Sequence, residues 1–343
     1  MTTTTSTIST ISNIAASALT RWFVTAVSCD ICPRGCSVDR ASGQRGVCGA
    51  SDELVVARAA LHFWEEPPIS GESGSGTVFF GNCPLRCNYC QNTVIAHGDV
   101  GQVVSVADVA RMCLDLQEQG ALNINFVTPT HYTTQVREAT VLARSKGLHL
   151  PVVWNTGGYE RADVIRGNAG TVDVYLTDFK YADAALGERY SRVSDYPDRA
   201  LEALDAMVET AGPLEYDEYR GQERLVRGVV VRHLLLPGNL EDSKRVVRLL
   251  HERYGSAIRL SLMNQYTPVL ATAAAAGDAR AAAELARCPE LAGRVPDWQY
   301  EELLDFADAL GVEDYFWQEG GACEESFIPA FTSEGWANGG DGV

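Results

Sequence analysis

Short apolar runs alternate with amphipathic stretches over most of the chain. The runs have the length of buried strands, the stretches repeat their apolar residues with helical periodicity, and the pair recurs six times. Such alternation predicts a parallel sheet with helices outside it, curled one way by right-handed crossovers. The predicted strands are residues 77–81, 123–127, 151–155, 172–177, 228–235 and 258–263, and the predicted helices are residues 105–120, 134–146, 160–166, 198–210 and 241–254.

The pattern changes after residue 270. An alanine-rich segment predicts a helix at 271–286, an amphipathic segment predicts another at 297–310, and residues 314–318 predict a last strand. From the pattern alone, an open doubly wound sheet and a barrel both fit the preceding core. We divide the chain into a disordered extension (1–25), a cysteine-rich metal-binding segment (26–60), a strand–helix core (61–270) and a C-terminal helical extension (271–343) that closes the open side of the core and ends in a flexible tail (335–343).

Composition argues against two classes of partner. The 343 residues suit one barrel-sized domain with additions or two ordinary domains, and 46% apolar residues suffice for a sizeable core. The net charge of −17 argues against nucleic acid binding, which needs clustered Lys and Arg. No run approaches the roughly 18 apolar residues of a membrane span. We therefore expect neither a nucleic acid nor a membrane partner.

Cysteine usage indicates metal binding. The chain has ten cysteines, and seven of them precede residue 91 in spacings typical of metal ligands. This usage favours a reducing cytoplasm over a secreted, disulfide-bonded protein. Cys113 shares an apolar helical face with Val109 and is expected in the core, whereas Cys288 and Cys323 stand alone.

Three of these cysteines lie close together directly after the first predicted strand. Cys83, Cys87 and Cys90 follow the apolar run at 77–80, and Gly81 allows a tight turn before them. Three thiolates on one loop can hold three irons of a cubane [4Fe–4S] cluster and leave the fourth iron without a protein ligand. The alternative is a structural zinc site completed by a distant Cys or His, which the unequal gaps disfavour.

The spacing Cys-x3-Cys-x-aromatic-Cys resembles the cluster loop of the radical S-adenosylmethionine (SAM) superfamily. Segments 65–71, 74–76 and 90–92 are similar to those of proteins like pyruvate formate-lyase activating enzyme, and most similar to the PflX-like group. The resemblance implies a partial (βα)6 barrel of the TIM type and a free iron that binds the amino and carboxylate groups of SAM. It also implies that one electron cleaves SAM to release a 5′-deoxyadenosyl radical, with Tyr89 beside the adenine.

The resemblance further implies ligand contacts at the ends of the next strands. Related enzymes bind the SAM amino group through backbone carbonyls of a Gly-Gly-Glu-Pro-like segment; this chain keeps only the proline, and Thr128 is expected there. Asn155 and Thr156 match positions near the SAM carboxylate and a monovalent cation, but Asn155 replaces an acid, which argues against the cation. Asp178 and Lys180 place opposite charges at the barrel mouth, with an exposed ion pair of little value as the alternative.

Two histidines and Lys180 complete the candidate site. His233 matches the position that the family places near the SAM ribose, and the alternative is a core histidine. His131 follows the second predicted strand and is expected to act on the substrate as an acid or base, with a solvated loop histidine as the alternative. His131 and Lys180 are thus the candidate catalytic residues.

Four further cysteines lie near the start of the chain. Cys29, Cys32, Cys36 and Cys48 are interspersed with glycines, as in a compact metal knuckle. Four thiolates can close a tetrahedral zinc site or bind a second iron–sulfur cluster. The sequence leaves both open, and four close thiols without a metal would be reactive.

Two functions are consistent with these motifs. The first is a radical SAM enzyme that takes electrons from flavodoxin or ferredoxin and abstracts hydrogen from a substrate. That substrate is a glycine Cα of a partner glycyl-radical enzyme, a small molecule or a peptide. The second function is an iron–sulfur electron carrier without turnover, which explains the cysteines but not the six strand–helix units. Glu65 and Glu66, beside two prolines, are expected either at the entrance of the site or as ordinary surface acids.

Overall fold

The computed structural model describes residues 28–318. The extension predicted at 1–25, the tail at 335–343 and Cys323 lie outside these residues. The strands are β1 (Leu54–His62), β2 (Ser75–Phe80), β3 (Gln102–Val104), β4 (Ile124–Val127), β5 (Val152–Thr156), β6 (Val174–Asp178), β7 (Glu215–Tyr219), β8 (Gln222–Leu234), β9 (Arg259–Met263) and β10 (Phe316–Trp317). The α-helices are α1 (Pro67–Ser70), α2 (Thr93–Ala96), α3 (Val106–Glu118), α4 (Thr133–Ser145), α5 (Ala162–Arg166), α6 (Ala184–Ser191), α7 (Tyr196–Ala211), α8 (Leu240–Tyr254), α9 (Val269–Ala275), α10 (Ala279–Arg287) and α11 (Asp297–Leu310).

Six parallel strands form the centre of the sheet. β2, β4, β5, β6, β8 and β9 lie side by side in chain order, and each neighbouring pair is parallel. Because every crossover moves one place in the same direction, the crossover helices cover one face and the sheet curls toward the other. The predicted α/β fold, a partial (βα)6 barrel with additions at both ends, is therefore confirmed.

The two faces of the sheet carry different apolar cores. The outer face packs under the crossover helices in one large cluster, to which Phe126, Trp154 and Val229 belong. The inner face carries a much smaller cluster, and Ile69 of α1 closes it from inside the barrel. Its other buried members are Val153, Val174, Leu176, Leu225 and Val230. The outer core therefore holds the helices on the sheet. The inner core fills the barrel only below the polar residues at the carboxyl ends of the strands.

Most predicted elements match observed ones within a few residues. Helix α3 begins where the sequence predicts because Ser105 and Asp108 cap it reciprocally. The Ser105 Oγ accepts from the Asp108 N–H at 3.1 Å, and the Asp108 carboxylate accepts from the Ser105 N–H at 2.9 Å. The helix predicted at 297–310 coincides with α11.

The single helix predicted at 271–286 is wrong. α9 ends at Ala275, Gly277 takes a left-handed backbone with φ +96°, and Asp278 then caps α10. The Asp278 carboxylate accepts from the N–H groups of Arg280 and Ala281 at 2.8 and 3.1 Å. A left-handed glycine followed by an N-cap residue ends one helix and starts the next, and the alanine-rich composition concealed that break.

The hydrophobic pattern missed the antiparallel additions to the sheet. β1 pairs antiparallel with both β2 and β3, and β7 forms a hairpin with the long β8. β1 begins inside the predicted cysteine-rich segment, so the end of that segment joins the sheet. At the opposite edge β10, from the C-terminal extension, pairs with β9. Within residues 28–318 no helix has the length and apolar character needed to cross a membrane.

Gly158 shows how closely the strand ends approach each other. It follows β5 with φ +81°, and a Cβ there would lie 2.2 Å from the Asp178 carbonyl oxygen. Gly170 has nearly the same backbone, with φ +77° and nothing within 4 Å of its Cβ position. The two glycines therefore separate the cost of a left-handed backbone from the cost of crowding.

We expect Gly158→Ala to destabilise the protein more than Gly170→Ala. The left-handed backbone costs an alanine about 1–2 kcal/mol at either position. Only Gly158→Ala adds a clash, and it is with backbone that cannot move without displacing β6. Urea unfolding at pH 7 measures both losses. Equal losses of unfolding free energy would contradict the close approach.

Candidate functional site

A cavity of about 170 Å³ lies at the carboxyl ends of the parallel strands. Cys83, Cys87 and Cys90, on the loop after β2, form one wall of it. The polar groups of the other walls come from the ends of β4, β5, β6 and β8: Thr128, Thr130, Asn155, Thr156, Asp178, Lys180 and Arg232. Active groups in parallel α/β folds sit at this edge of the sheet.

Three residues around the cavity have a left-handed backbone without being glycine. They are Asn82 (φ +73°), Arg86 (φ +51°) and Thr128 (φ +57°). Thr128 is β-branched, so this conformation is costly for it. Hydrogen bonds hold the strained positions: the Asn82 N–H donates to the Ile95 carbonyl at 2.7 Å, and the Thr128 N–H donates to the Asn155 carbonyl at 2.8 Å. Strain held in this way is typical of functional sites.

The three cysteines of the loop are free thiols. Burial raises the pKa of Cys90 to about 12 and also raises the pKa of Cys83, so both are protonated at neutral pH without a metal. Within the described chain no three Cys, His, Asp or Glu side chains are gathered around one point for a single metal ion. The cysteines of a cubane each bind a different iron, so they lie farther apart than the ligands of one ion.

A network of buried charges forms the floor of the cavity. The Arg232 guanidinium donates to Asp178 at 2.9 Å, to Glu65 at 3.0 Å and to the Asn155 side-chain oxygen at 2.6 Å. Lys180 donates to the other Asp178 oxygen at 2.6 Å. Burial alone would raise the pKa of Asp178, but the Lys180 and Arg232 cations hold that pKa below its usual value. Asp178 is therefore ionised and fixes both cations at the cavity.

A second buried carboxylate lies behind two threonines of the wall. Thr130 and Thr156 each donate their hydroxyl proton to Glu160 Oε1 at 2.6 Å, and Trp154 Nε1 donates to the same oxygen at 3.4 Å. Glu160 is fully buried, and burial raises its pKa. With their protons committed, the two hydroxyls can offer only lone pairs to the cavity.

The two candidate histidines do not line the cavity. His131 is buried and its Nε2–H donates to the Gly81 carbonyl at 2.8 Å, and His233 is buried with its Nδ1–H on the Phe179 carbonyl at 2.8 Å. Burial lowers their pKa values to about 3 and about 4, so both are neutral at pH 7. The acid–base role of His131 and the ribose contact of His233 stay predictions, and this geometry does not support either of them.

The strand register explains why His233 misses the cavity. Arg232 pairs with Asp178, and successive residues of a strand point to opposite faces of the sheet. Arg232 therefore shares the inner face with Asp178, and His233 lies on the other face. The alternation selects Arg232 only once its pairing with Asp178 is known, and the sequence alone did not give that pairing.

Tyr89 lies behind the cysteine loop. It is buried, absent from the cavity wall, and its hydroxyl is 2.8 Å from that of Tyr181. The Tyr181 hydroxyl is 2.9 Å from Ser191 Oγ, which is 2.9 Å from Cys87 Sγ. The expected contact of Tyr89 with adenine stays a prediction, and its observed partner is this hydroxyl chain.

The N-terminal cysteine segment is docked against the cysteine loop. Arg34 lies between Cys32 and Cys36, and its guanidinium donates to four carbonyls: Pro84 at 2.9 Å, Leu85 at 3.3 Å, Ser191 at 3.0 Å and Arg192 at 2.7 Å. Arg86 of the loop also donates to the carbonyl of Cys48 in the N-terminal segment, at 3.0 Å. The two cysteine groups therefore belong to one packed unit.

The structure thus brings most of the predicted site together. Eight of the predicted residues line the cavity: Cys83, Cys87, Cys90, Thr128, Asn155, Thr156, Asp178 and Lys180. Sequence reasoning missed Arg232, Thr130 and Glu160. Glu160 was hidden because the pattern placed it at the start of a surface helix, whereas α5 begins two residues later.

We expect Arg232→Met to be strongly destabilising. It leaves Asp178 and Glu65 buried without their shared cation, and breaking a buried ion pair from one side costs about 3–5 kcal/mol. Arg253→Met is the control, because Arg253 pairs with Asp205 at the surface, where a pair contributes at most about 1 kcal/mol. Urea unfolding at pH 7 measures both. A loss for Arg232→Met as small as the control's would refute the buried network.

We expect His131 to make the protein less stable in mild acid. Its pKa falls from 6.5 to about 3 on folding, so only the unfolded chain takes up this proton below pH 6.5. Its contribution to the unfolding free energy is complete above pH 6.5 and falls by about 1.5 kcal/mol between pH 6.5 and pH 5. Replacing His131 by Gln should flatten the stability–pH curve by that amount. An unchanged curve would show that His131 is accessible to protons.

The chain is similar over part of its length to several known proteins. No protein-family model matches the chain. An uncharacterized protein of Methanocaldococcus jannaschii (MJ0674) is 28% identical over 258 residues, which cover 70% of this chain and 66% of that protein. Streptococcus suis SuiB bound to precursor peptide SuiA is a similar solved structure, with 13% identity, a TM-score of 0.46 and coverage of 69% of this chain and 46% of that chain. A radical SAM methyltransferase from Sphaerobacter thermophilus is another, with 16% identity, a TM-score of 0.45 and coverage of 71% and 66%. The chain thus spans slightly less than two thirds of the curated relative and under half of SuiB.

Proposed function

We propose that this chain is a radical SAM enzyme. In this proposal Cys83, Cys87 and Cys90 hold a [4Fe–4S] cluster whose fourth iron binds SAM. The observation that carries it is the cavity at the carboxyl edge of a (βα)6 sheet. Three free thiols of one loop face that cavity together with the charged ends of the neighbouring strands.

The donor set fits the group. Three thiols on one loop can ligate three irons, and the fourth ligand position is left to a small molecule. Bound together, the cluster and SAM supply a 5′-deoxyadenosyl radical for hydrogen abstraction when one electron arrives. The protein's own residues would bind and orient SAM and the substrate, and they would exclude water from the cavity.

Lys180 is the group that we assign to the carboxylate of SAM. Its ammonium has three protons, and Asp178 takes one of them at 2.6 Å. The remaining protons can face the cavity, which Lys180 lines. Asp178 keeps the side chain in place and keeps it charged, so a carboxylate meets a cation that is already oriented.

Thr130 and Thr156 are the groups that we assign to the ammonium of SAM. Both hydroxyl protons are committed to Glu160, so both oxygens accept hydrogen bonds from the cavity side. Burial raises the pKa of Glu160, and a cationic ligand held by the two hydroxyls would favour its ionised form. This pair supplies side-chain acceptors where the chain lacks the Gly-Gly-Glu residues of related enzymes, and Thr128 adds backbone to the same wall.

The substrate, the electron donor and the second metal are parts of the same proposal. Radical formation needs an external reductant of the flavodoxin or ferredoxin type. Hydrogen abstraction can serve a glycine Cα of a partner glycyl-radical enzyme, as the PflX-like resemblance implies, or a peptide or small molecule. Cys29, Cys32, Cys36 and Cys48 would hold a second cluster or zinc. An electron carrier without turnover would leave the charged cavity floor unused.

The test is anaerobic reconstitution of the full chain with iron and sulfide, followed by dithionite and SAM. We expect four irons per chain bound through the loop and formation of 5′-deoxyadenosine, measured by mass spectrometry. Cys87→Ala should lose both, because one iron loses its ligand. Cys113→Ala is the matched control, since Cys113 is a fully buried cysteine of α3 and should leave both unchanged.

Iron and zinc quantitation on Cys29→Ala and Cys32→Ala separates the second metal from the first. These variants should lose the N-terminal metal while the loop cluster still forms 5′-deoxyadenosine. A wild-type protein that loads iron but gives no more 5′-deoxyadenosine than Cys87→Ala would refute the proposed function.

A further inference from the structure

A chain of three hydroxyl groups ends on one of the three loop cysteines. Ser191 Oγ lies 2.9 Å from Cys87 Sγ and 2.9 Å from the Tyr181 hydroxyl, and the Tyr181 and Tyr89 hydroxyls are 2.8 Å apart. The three come from different parts of the chain: Ser191 ends α6, Tyr181 follows β6, and Tyr89 lies between the last two loop cysteines. Their convergence on Cys87 therefore depends on the tertiary fold.

The chain of hydroxyls is almost completely removed from water. Ser191 is 0%, Tyr181 1% and Tyr89 6% exposed. A buried hydroxyl without a hydrogen-bond partner is costly, so each of the three stays bonded to its neighbours.

Backbone contacts on both sides fix the position of Ser191. Arg34 donates to the Ser191 carbonyl at 3.0 Å and to the Arg192 carbonyl at 2.7 Å. On the side of the cysteine loop, the Asn88 N–H donates to the Tyr190 carbonyl at 2.9 Å. The end of α6 is thus tied to the loop and to the N-terminal segment at once, and Ser191 Oγ has little freedom to leave Cys87.

Metal binding at Cys87 would decide the direction of these hydrogen bonds. A free thiol can donate to Ser191, and the protons then point away from the cysteine. A metal-bound thiolate has no proton and can only accept. The Tyr181 hydroxyl now donates to Tyr89 at 2.8 Å. With a metal on Cys87, Ser191 would donate to the sulfur and Tyr181 would turn its proton from Tyr89 to Ser191. Two protons, those of Ser191 and Tyr181, would then point toward the sulfur.

We propose that Ser191 and Tyr181 are positioning residues that raise the reduction potential of the cluster at Cys87. The inference rests on the proposed function. A hydrogen bond to a ligand sulfur stabilises the reduced cluster more than the oxidised one, because the reduced cluster carries more negative charge on sulfur. Ser191 supplies this bond directly, and Tyr181 strengthens it by polarising the Ser191 hydroxyl.

The experiment measures the midpoint potential of the reconstituted full-length protein without SAM, by redox titration followed with EPR. Ser191→Ala removes the donor, and we expect its potential to fall by about 59 mV, which is a tenfold shift of a one-electron equilibrium. Tyr181→Phe keeps the ring and should lower the potential by a smaller amount. Ser75→Ala is the matched control, since Ser75 is a fully buried serine that bonds Asn123 at the opposite end of β2. Its potential should equal that of the wild type.

The outcomes separate this inference from the proposed function. Failure of the wild type to bind a cluster at the loop would remove the proposed function itself. A loaded Ser191→Ala protein with the wild-type potential would overturn only the role of the hydroxyl chain. Should Ser191→Ala fail to load, Tyr181→Phe decides: a lowered potential supports the inference and an unchanged one overturns it.

Discussion

The ionised carboxylate of Asp178 is the interaction on which the site depends. It lies between two cations, Lys180 and Arg232, at the carboxyl end of a buried strand. A charge in such a place is tolerated only when it is paired and hydrogen-bonded. Asp178 meets that condition by fixing one cation toward the cavity and the other toward Glu65 and Asn155. The polar floor of the barrel is therefore rigid before any ligand arrives.

The sequence was informative where local rules decide the structure. The six central strands follow from apolar runs, and the start of α3 follows from Ser105 and its partner three residues on. The cysteine loop was predicted from the spacing of its cysteines, and the residues at the ends of β5 and β6 were predicted from the family resemblance; all of them line the cavity. Arg232 and Glu160 were missed because their roles depend on which face they occupy and on partners far along the chain. The break between α9 and α10 was missed because the alanine-rich composition predicts a continuous helix despite Gly277.

The two cysteine groups are structurally coupled. Arg34 comes from the first group and binds carbonyls on both sides of the second, and Arg86 returns the contact to the Cys48 carbonyl. The same guanidinium holds the carbonyl of Ser191, whose hydroxyl meets Cys87. A change in the N-terminal segment therefore reaches the loop cysteines through backbone contacts, without a shared ligand.

This docking also sets an order of events during synthesis. Arg34 leaves the ribosome long before its acceptor at Ser191, which is 157 residues further on. At ordinary translation rates that distance corresponds to about 8 to 30 s. The Pro84 carbonyl follows Arg34 by only 50 residues, but the contacts of Arg34 are complete only when Ser191 and Arg192 have been made. The N-terminal segment therefore reaches its final position only after the end of α6 has been synthesised.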